Sequence, residues 1–246
     1  LGTDYLYSDR TTLYMSYGLE NERTDNGVRA RRGDVTTGFR TRYSDSASVY
    51  LEEKYTYGDV PTGLIHSTGV DLAPNERWNL GATLALGTLR DHRTAAETRR
   101  KSVGLSVGYG IDSIQVASAV EYLENEIENP DTTSSERTTW LTKNSLRYQI
   151  NPDWRLLGKL NHSDSDSSLG EFYDGNYTEA VIGYGYRPVD NDRLNALAKY
   201  TYFYNVPTVD QVTVTGTASQ FIQKSHIGSI DLSYALGPSW TVGGKY

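Results

Sequence analysis

Residues 151–158 read Asn-Pro-Asp-Trp-Arg-Leu-Leu-Gly, a short polar turn that leads directly into a tryptophan and an apolar segment. The same arrangement occurs in residues 75–82, Asn-Glu-Arg-Trp-Asn-Leu-Gly-Ala, and in residues 237–244, Gly-Pro-Ser-Trp-Thr-Val-Gly-Gly. A tryptophan that recurs at one height of successive hairpins is typical of the aromatic girdle of a transmembrane β-barrel. The repeated segment therefore predicts a membrane barrel.

Tyrosines extend the predicted girdle, because several of the strands that lead into these turns end on or near a tyrosine. The chain contains 20 tyrosines and only 4 phenylalanines. The predicted girdle consists of Trp78, Trp154, Trp240, Tyr43, Tyr109, Tyr148, Tyr186 and Tyr234.

Strict alternation of apolar and polar residues covers most of the chain. Residues 35–43 and 78–86 are clear examples, and this period of two indicates β-strands. About thirteen candidate strands can be counted, most of them roughly 10 to 15 residues long. A soluble strand is usually about 5–6 residues, whereas a tilted strand needs about 9–11 to cross a bilayer.

The predicted connections alternate between short and long. Turn-forming residues occupy the short ones, at 44–46, 73–76, 111–113, 151–153, 189–192 and 237–239, and longer polar stretches lie at 22–33, 58–62, 90–98, 124–137, 163–175 and 206–217. Short turns at one end and long loops at the other are a property of outer-membrane barrels. The predicted fold class is therefore all-β, an antiparallel up-and-down transmembrane β-barrel.

Composition narrows the function classes. The chain has no cysteine, which excludes disulfides and thiolate sites, and its net charge of −7 argues against nucleic-acid binding. No apolar run approaches the roughly 18 residues of a membrane-spanning helix. Mean hydropathy of −0.57 is compatible with a barrel, because only alternate strand residues face lipid. A soluble β-sandwich, lectin or β-solenoid remains the alternative fold.

Across nearly its whole length, the chain resembles bacterial outer-membrane β-barrel proteins in these turn-and-tryptophan hairpins. Residues 154–180 are, more narrowly, similar to the C-terminal barrel region of large proteobacterial surface proteins. The resemblance implies a bacterial outer-membrane location and a barrel architecture, and it supplies no catalytic residues.

If the tryptophans face lipid, the alternate strand residues face a lumen. A cation on the lipid face near the bilayer centre would cost about 2–4 kcal/mol, which favours this register. The predicted pore-lining residues are Arg40, Arg42, Glu52, Lys54, Glu121, Lys143, Arg147, Arg155, Lys159, Glu179, Lys199 and Lys245. The alternative interpretation is that these charges pair across strands and only stiffen the wall.

Signals for enzymatic chemistry are weak, and the sequence predicts no enzyme, cofactor or metal site. The four histidines lack metal-ligand spacing. His162, Ser163 and Asp164 could suggest an outer-membrane hydrolase, but neighbouring strand residues point to opposite faces. The predicted partners are the lipid bilayer and lipopolysaccharide, with additional domains or partner proteins possible and nucleic acid excluded.

Two functions follow from these expectations. One is a pore for small solutes or ions, and the other is a membrane anchor or translocator for a larger surface or periplasmic protein. The sequence predicts a single barrel domain over residues 1–246, incomplete at one or both ends. The reason is that an odd number of strands cannot close in the usual way, so a barrel of about 14 to 18 strands is expected.

Overall fold

A computed structural model of the chain describes residues 2–23, 29–58, 62–170, 174–190, 193–206 and 222–246. These residues form one antiparallel sheet of fourteen strands in sequence order. None of them forms a helix long and apolar enough to cross a membrane. The strands are β1 (Gly2–Ser8), β2 (Thr11–Arg23), β3 (Arg29–Ser44), β4 (Ala47–Gly58), β5 (Thr62–Asn75), β6 (Trp78–Arg90), β7 (Glu97–Ile111), β8 (Ile114–Glu128), β9 (Ser134–Gln149), β10 (Trp154–Ser167), β11 (Gly175–Tyr186), β12 (Leu194–Val206), β13 (Gln223–Gly237) and β14 (Trp240–Lys245).

This up-and-down topology confirms the predicted fold class. Strands β3 and β9 each contain 16 residues, enough to cross a bilayer and to project beyond it. The described strands number one more than the sequence count, because Gly2–Ser8 pairs with β2.

The two edge strands, β1 and β14, are shorter, with 7 and 6 residues. Each pairs with a single neighbour, and no contact joins β1 to β14 among the described residues. The described strands number fourteen, which is even, so the odd count is wrong. That further strands complete the barrel stays a prediction. The open edges themselves leave unpaired backbone donors and acceptors at both sides of the sheet.

The loop-side connections that the structure describes are shorter than predicted. The predicted loop 124–137 is mostly strand, because β8 continues to Glu128 and β9 begins at Ser134. Ion pairs between β7 and β8 accompany this extension: Lys101 Nζ lies 2.6 Å from Glu124 Oε1, and Arg99 Nη1 lies 3.3 Å from Glu128 Oε1. Predicted loop segments at 24–28, 59–61 and 207–217 lie outside the described residues.

Strand register divides the sheet into two faces. Residues directly opposite in an antiparallel pair share a face. Trp78 lies opposite Tyr109, Tyr109 lies opposite Val116, and Val116 lies opposite Leu146. We call the face that contains these residues the apolar face and the opposite one the polar face.

The described residues form a single layer without a hydrophobic core. The only buried hydrophobic side chains among them are Ala96 and Val206, and no large side chain is fully buried. Leu105 is 56% exposed and Trp140 is 53% exposed, both on the apolar face. A soluble β-sandwich would bury such residues between two sheets, so the single exposed apolar face argues against the soluble alternative.

Tyrosine rings cover glycines on neighbouring strands and fix their local packing. Tyr14 lies opposite Gly38, and Tyr50 lies opposite Gly69. A Cβ atom added at Gly38 would lie 2.6 Å from both the Leu51 carbonyl oxygen and the Tyr14 ring. Backbone cannot move aside as a flexible side chain can, so glycine is required at this position.

We expect Gly38→Ala to lower the free energy of unfolding by about 1–3 kcal/mol, the usual cost of overpacking. Gly18→Ala is the matched control, since nothing lies within 4 Å of a Cβ atom added there. Alanine at residue 18 should be neutral or slightly stabilising. Denaturant unfolding in lipid vesicles measures both changes, and equal effects would contradict the packing argument.

Candidate pore wall and membrane-facing surface

All eight predicted girdle aromatics lie on the apolar face close to the short turns. Several contact one another across strands. The ring centroids of Trp78 and Tyr109 are 4.8 Å apart, and those of Trp154 and Tyr186 are 4.5 Å apart. Tyr43 is 80% exposed. Exposed, laterally packed aromatic rings at the turn side are compatible with an interfacial girdle, which stays a prediction.

A second group of aromatic residues lies on the apolar face at the loop side, and the sequence interpretation missed it. Trp140 packs against Tyr122 with ring centroids 4.9 Å apart. On β4, the Tyr57 hydroxyl donates to the Tyr17 hydroxyl at 2.8 Å. The available signal was spacing, because Trp140 precedes Tyr148 by eight residues on one strand.

The two aromatic groups delimit an apolar band. Eight residues span about 26 Å along a strand, or about 20 Å along the membrane normal at a strand tilt of about 40°. This height is close to the roughly 25 Å band of outer-membrane barrels. Beyond Tyr122 on β8 the same face carries Glu124 and Glu126, so the apolar band ends there.

Polar side chains on the apolar face have partners on neighbouring strands. His66 Nδ1 lies 3.2 Å from Glu53 Oε1, and His162 Nδ1 lies 2.9 Å from Thr178 Oγ1. Such pairing lowers the cost of placing a polar group near lipid. Two further contacts are similar: the Tyr200 hydroxyl with His226 Nδ1 at 2.7 Å, and Lys224 Nζ over the Tyr202 ring at 6.0 Å.

The register places the twelve charged residues proposed for the pore on the polar face, opposite the tryptophans. They lie on eight strands: β3, β4, β8, β9, β10, β11, β12 and β14. The cross-strand pairings that fix their common side include Lys143 opposite Asn161, Asn161 opposite Glu179, and Arg147 opposite Leu157. Arg100 and Arg137 share this face and were not predicted.

On strands β3–β5 the charges of the polar face largely offset one another. Lys54 Nζ lies 3.7 Å from Asp34 Oδ2, and Arg40 Nη2 lies 3.7 Å from Asp71 Oδ2. The Tyr14 hydroxyl donates to Glu52 Oε2 at 3.0 Å. We call this region, with the cations Arg32, Arg40, Arg42 and Lys54 and the carboxylates Asp34, Glu52 and Asp71, the balanced wall.

Strands β9–β12 differ, since cations dominate their polar face. Glu179 is its one carboxylate on these strands as described, and it accepts from Lys159 Nζ at 2.8 Å, Asn161 Nδ2 at 3.2 Å and the Tyr177 hydroxyl at 2.9 Å. We call this region the basic wall; its cations are Arg137, Lys143, Arg147, Arg155, Lys159 and Lys199.

A depression of about 440 Å³ adjoins the basic wall. Its lining includes Gly108, Ala117 and Ala119 of β7 and β8, whose short side chains leave space. Lys143 and Lys159 also line it, together with Asn79, Ser106, Ser145 and Asn161.

A larger depression of about 730 Å³ lies at the turn side of β10–β14. Its lining includes Arg155 and Asp231, so it contains both charge signs. Lys245 Nζ lies 3.9 Å from Asp231 Oδ1. This depression therefore has less uncompensated charge than the one beside Lys143.

The loop between β8 and β9 is held by short contacts outside the membrane band. The Thr133 hydroxyl and backbone N–H both donate to Asp131 Oδ1, at 2.5 and 3.1 Å. These hydrogen bonds stabilise the ionised carboxylate and hold the pKa of Asp131 below its usual range. The loop thus stays negatively charged at neutral and mildly acidic pH.

The residues considered for a hydrolase do not converge. His162 and Asp164 lie on the apolar face, while Ser163 lies on the polar face. His162 contacts Thr178 instead. Within the described part of the chain, no group of three or more His, Asp or Glu residues could hold a metal ion.

Comparisons with solved structures identify the fold. The ferric enterobactin receptor PfeA of Pseudomonas aeruginosa matches with a TM-score of 0.68 at 9% identity, over 99% of this chain and 49% of that one. The fold is that of an outer-membrane β-barrel. The siderophore receptor PirA of the same organism gives 0.68 at 9% identity, over 99% and 50%. The iron transporter FrpB of Neisseria meningitidis gives 0.55 at 12% identity, over 96% and 49%.

This chain spans about half the length of these structures. No protein-family model matches it, and no curated protein matches it in sequence. At these identities the likeness concerns the fold and does not carry over the neighbours' ligands. The fold and the exposed apolar band support the bacterial outer-membrane location that the sequence predicts.

Proposed function

We propose that the protein forms a pore for small solutes or ions across the outer membrane. The observation that supports this proposal is the separation of the two faces. Charged side chains from eight strands share the polar face, and the opposite face is an exposed apolar band. Such a polar face is stable in a membrane when it borders water, and rings of charge in a pore select ions.

A pore requires a closed wall, and the described sheet has open edges at β1 and β14 that must find partners. We propose that further antiparallel strands pair with these edges and complete a larger barrel. Unpaired backbone groups cannot remain exposed to lipid. The described sheet also covers about half of each similar barrel-containing chain.

The test is single-channel recording of the full-length protein in a planar lipid bilayer. We expect discrete current steps, because a water-filled lumen conducts ions. A folded, heat-resistant barrel that carries no current at any tested voltage would contradict the pore. An unfolded variant of the same preparation is the control for leakage caused by detergent.

The second candidate is an anchor or translocator for a larger surface or periplasmic protein. The resemblance of residues 154–180 to barrel regions of large surface proteins, which stays an expectation from the sequence, motivates it. The chain's coverage of about half of the similar structures does so as well. A silent but folded barrel in the bilayer experiment would favour the anchor. Enzymatic activity has no comparable support, because His162 and Ser163 lie on opposite faces.

We propose the bilayer and lipopolysaccharide as partners of the outward surface. Above the loop-side aromatics, the apolar face carries Arg99, Lys101, Glu124 and Glu128 in ion pairs. Charged side chains at this height face headgroups and not acyl chains. Contact with the phosphate groups of lipopolysaccharide would suit the two cations.

A further inference from the structure

We infer that the basic wall binds small anions and makes the pore anion-selective, with its best-defined site in the depression beside Lys143 and Lys159. This inference rests on the proposed pore and names the ions that it prefers. Three observations carry it: the charge balance of β9–β12, the absence of partners for two lysines, and the shape of the depression.

The charge balance favours anions on one side of the sheet only. On β9–β12 the polar face carries the six cations of the basic wall against Glu179 alone among the described residues. The balanced wall carries four cations against three carboxylates. A solute that passes along the sheet therefore meets a concentrated positive potential at β9–β12.

Most cations of the basic wall keep their charge uncompensated. Lys143 and Lys199 form no ion pair or hydrogen bond in the described part of the protein. Arg147 donates to Gln115 Oε1 at 3.2 Å and Arg155 to Gln149 Oε1 at 2.8 Å. Both of these acceptors are neutral amides, which orient the guanidinium groups without cancelling their charge.

The depression supplies the complementary hydrogen-bond donors. Its lining includes Lys143 and the hydroxyls of Ser106 and Ser145. Lys159 and Asn161 also line it, but both donate to Glu179. Its volume of about 440 Å³ is large enough for chloride, phosphate or a small carboxylate. Glu179 is not among the lining residues, but it neutralises Lys159. The positive charge that an anion meets in this depression therefore comes from Lys143.

Replacement of one lysine by glutamate changes the local charge by two units. At about 6 Å from the substituted side chain in water, this change alters the local concentration of a monovalent ion roughly tenfold at low salt. The effect should shrink in 1 M salt, where the Debye length is about 3 Å. The dependence on ionic strength separates electrostatic selection from a change in pore size.

The experiment measures reversal potentials of the full-length protein in a KCl gradient at low salt. We expect the wild-type protein to favour chloride. Lys143→Glu should reduce the chloride-to-potassium permeability ratio by more than about tenfold, because local chloride falls roughly tenfold while local potassium rises. Lys143→Glu with Lys199→Glu should reverse the preference. Lys143→Arg should retain it. Lys224→Glu is the matched control, since it makes the same charge change on the apolar face.

Binding of inorganic phosphate to the folded protein in micelles, measured by calorimetry, provides a second readout. Binding that Lys143→Glu weakens roughly tenfold supports the anion site even if the pore does not conduct. A conducting pore whose ion preference is the same in wild type and Lys143→Glu overturns the anion inference and leaves the proposed pore intact. Equal shifts in Lys143→Glu and Lys224→Glu overturn it as well.

Discussion

Leu105→Arg should lower the free energy of unfolding in lipid bilayers by about 2–4 kcal/mol. Leu105 lies on the apolar face of β7, four residues from Tyr109 at the turn side and four from Lys101 at the loop side. It is therefore near the middle of the apolar band and is 56% exposed. An arginine there would place its charge in hydrocarbon, too far from either headgroup region for an easy escape.

Ser106→Arg is the matched control for this prediction. Ser106 is the next residue on the same strand, at nearly the same height, and its side chain faces the depression on the polar face. An arginine there reaches water, so the free energy of unfolding should change by less than about 0.5 kcal/mol. Equal destabilisation by both substitutions, measured by denaturant titration in vesicles, would show that the assigned faces are wrong.

The fold was predictable because its determinants are local and repeated. Period-two alternation and the turns before Trp78, Trp154 and Trp240 specify the strand register. A slip of one residue would exchange the two faces along a whole strand, which makes the register robust to errors in strand ends. Strand ends were less predictable, since β8 continues to Glu128 through ion pairs with β7.

Features that depend on cross-strand neighbours could not be read from the sequence. Trp140 follows two threonines and not a turn, so the sequence gives no sign of its place in the loop-side aromatic group. That place becomes clear only when β9 pairs with β8 and brings Trp140 against Tyr122. The pairing of His162 with Thr178 similarly requires the β10–β11 register. The sequence identified twelve charged residues of the polar face but missed others, among them Arg100 and Arg137. The contrast between Lys143 and the paired Lys54 needed three-dimensional contacts.

The second large effect concerns access of water to the polar face. The chain contains no cysteine, so a single introduced thiol reports on one position. Ser145 lies on the polar face and lines the depression, and Leu146 is its neighbour on the apolar face. We expect a charged, water-soluble thiol reagent to modify Ser145→Cys at least about a hundredfold faster than Leu146→Cys in vesicles. The reason is that desolvation raises the pKa of a thiol by two or more units, and each unit lowers the concentration of the reactive thiolate tenfold.

Modification of Ser145→Cys also links access to conduction. The bulky group would lie in the depression that Lys143 and Lys159 also line, so the single-channel current should fall when a large reagent is added. The same reagent should leave the current of Leu146→Cys unchanged, because that thiol faces acyl chains. Rapid modification of both thiols would mean that the apolar face is not in lipid. Protection of both would mean that the polar face is sealed from water, which would contradict the pore and favour an anchor.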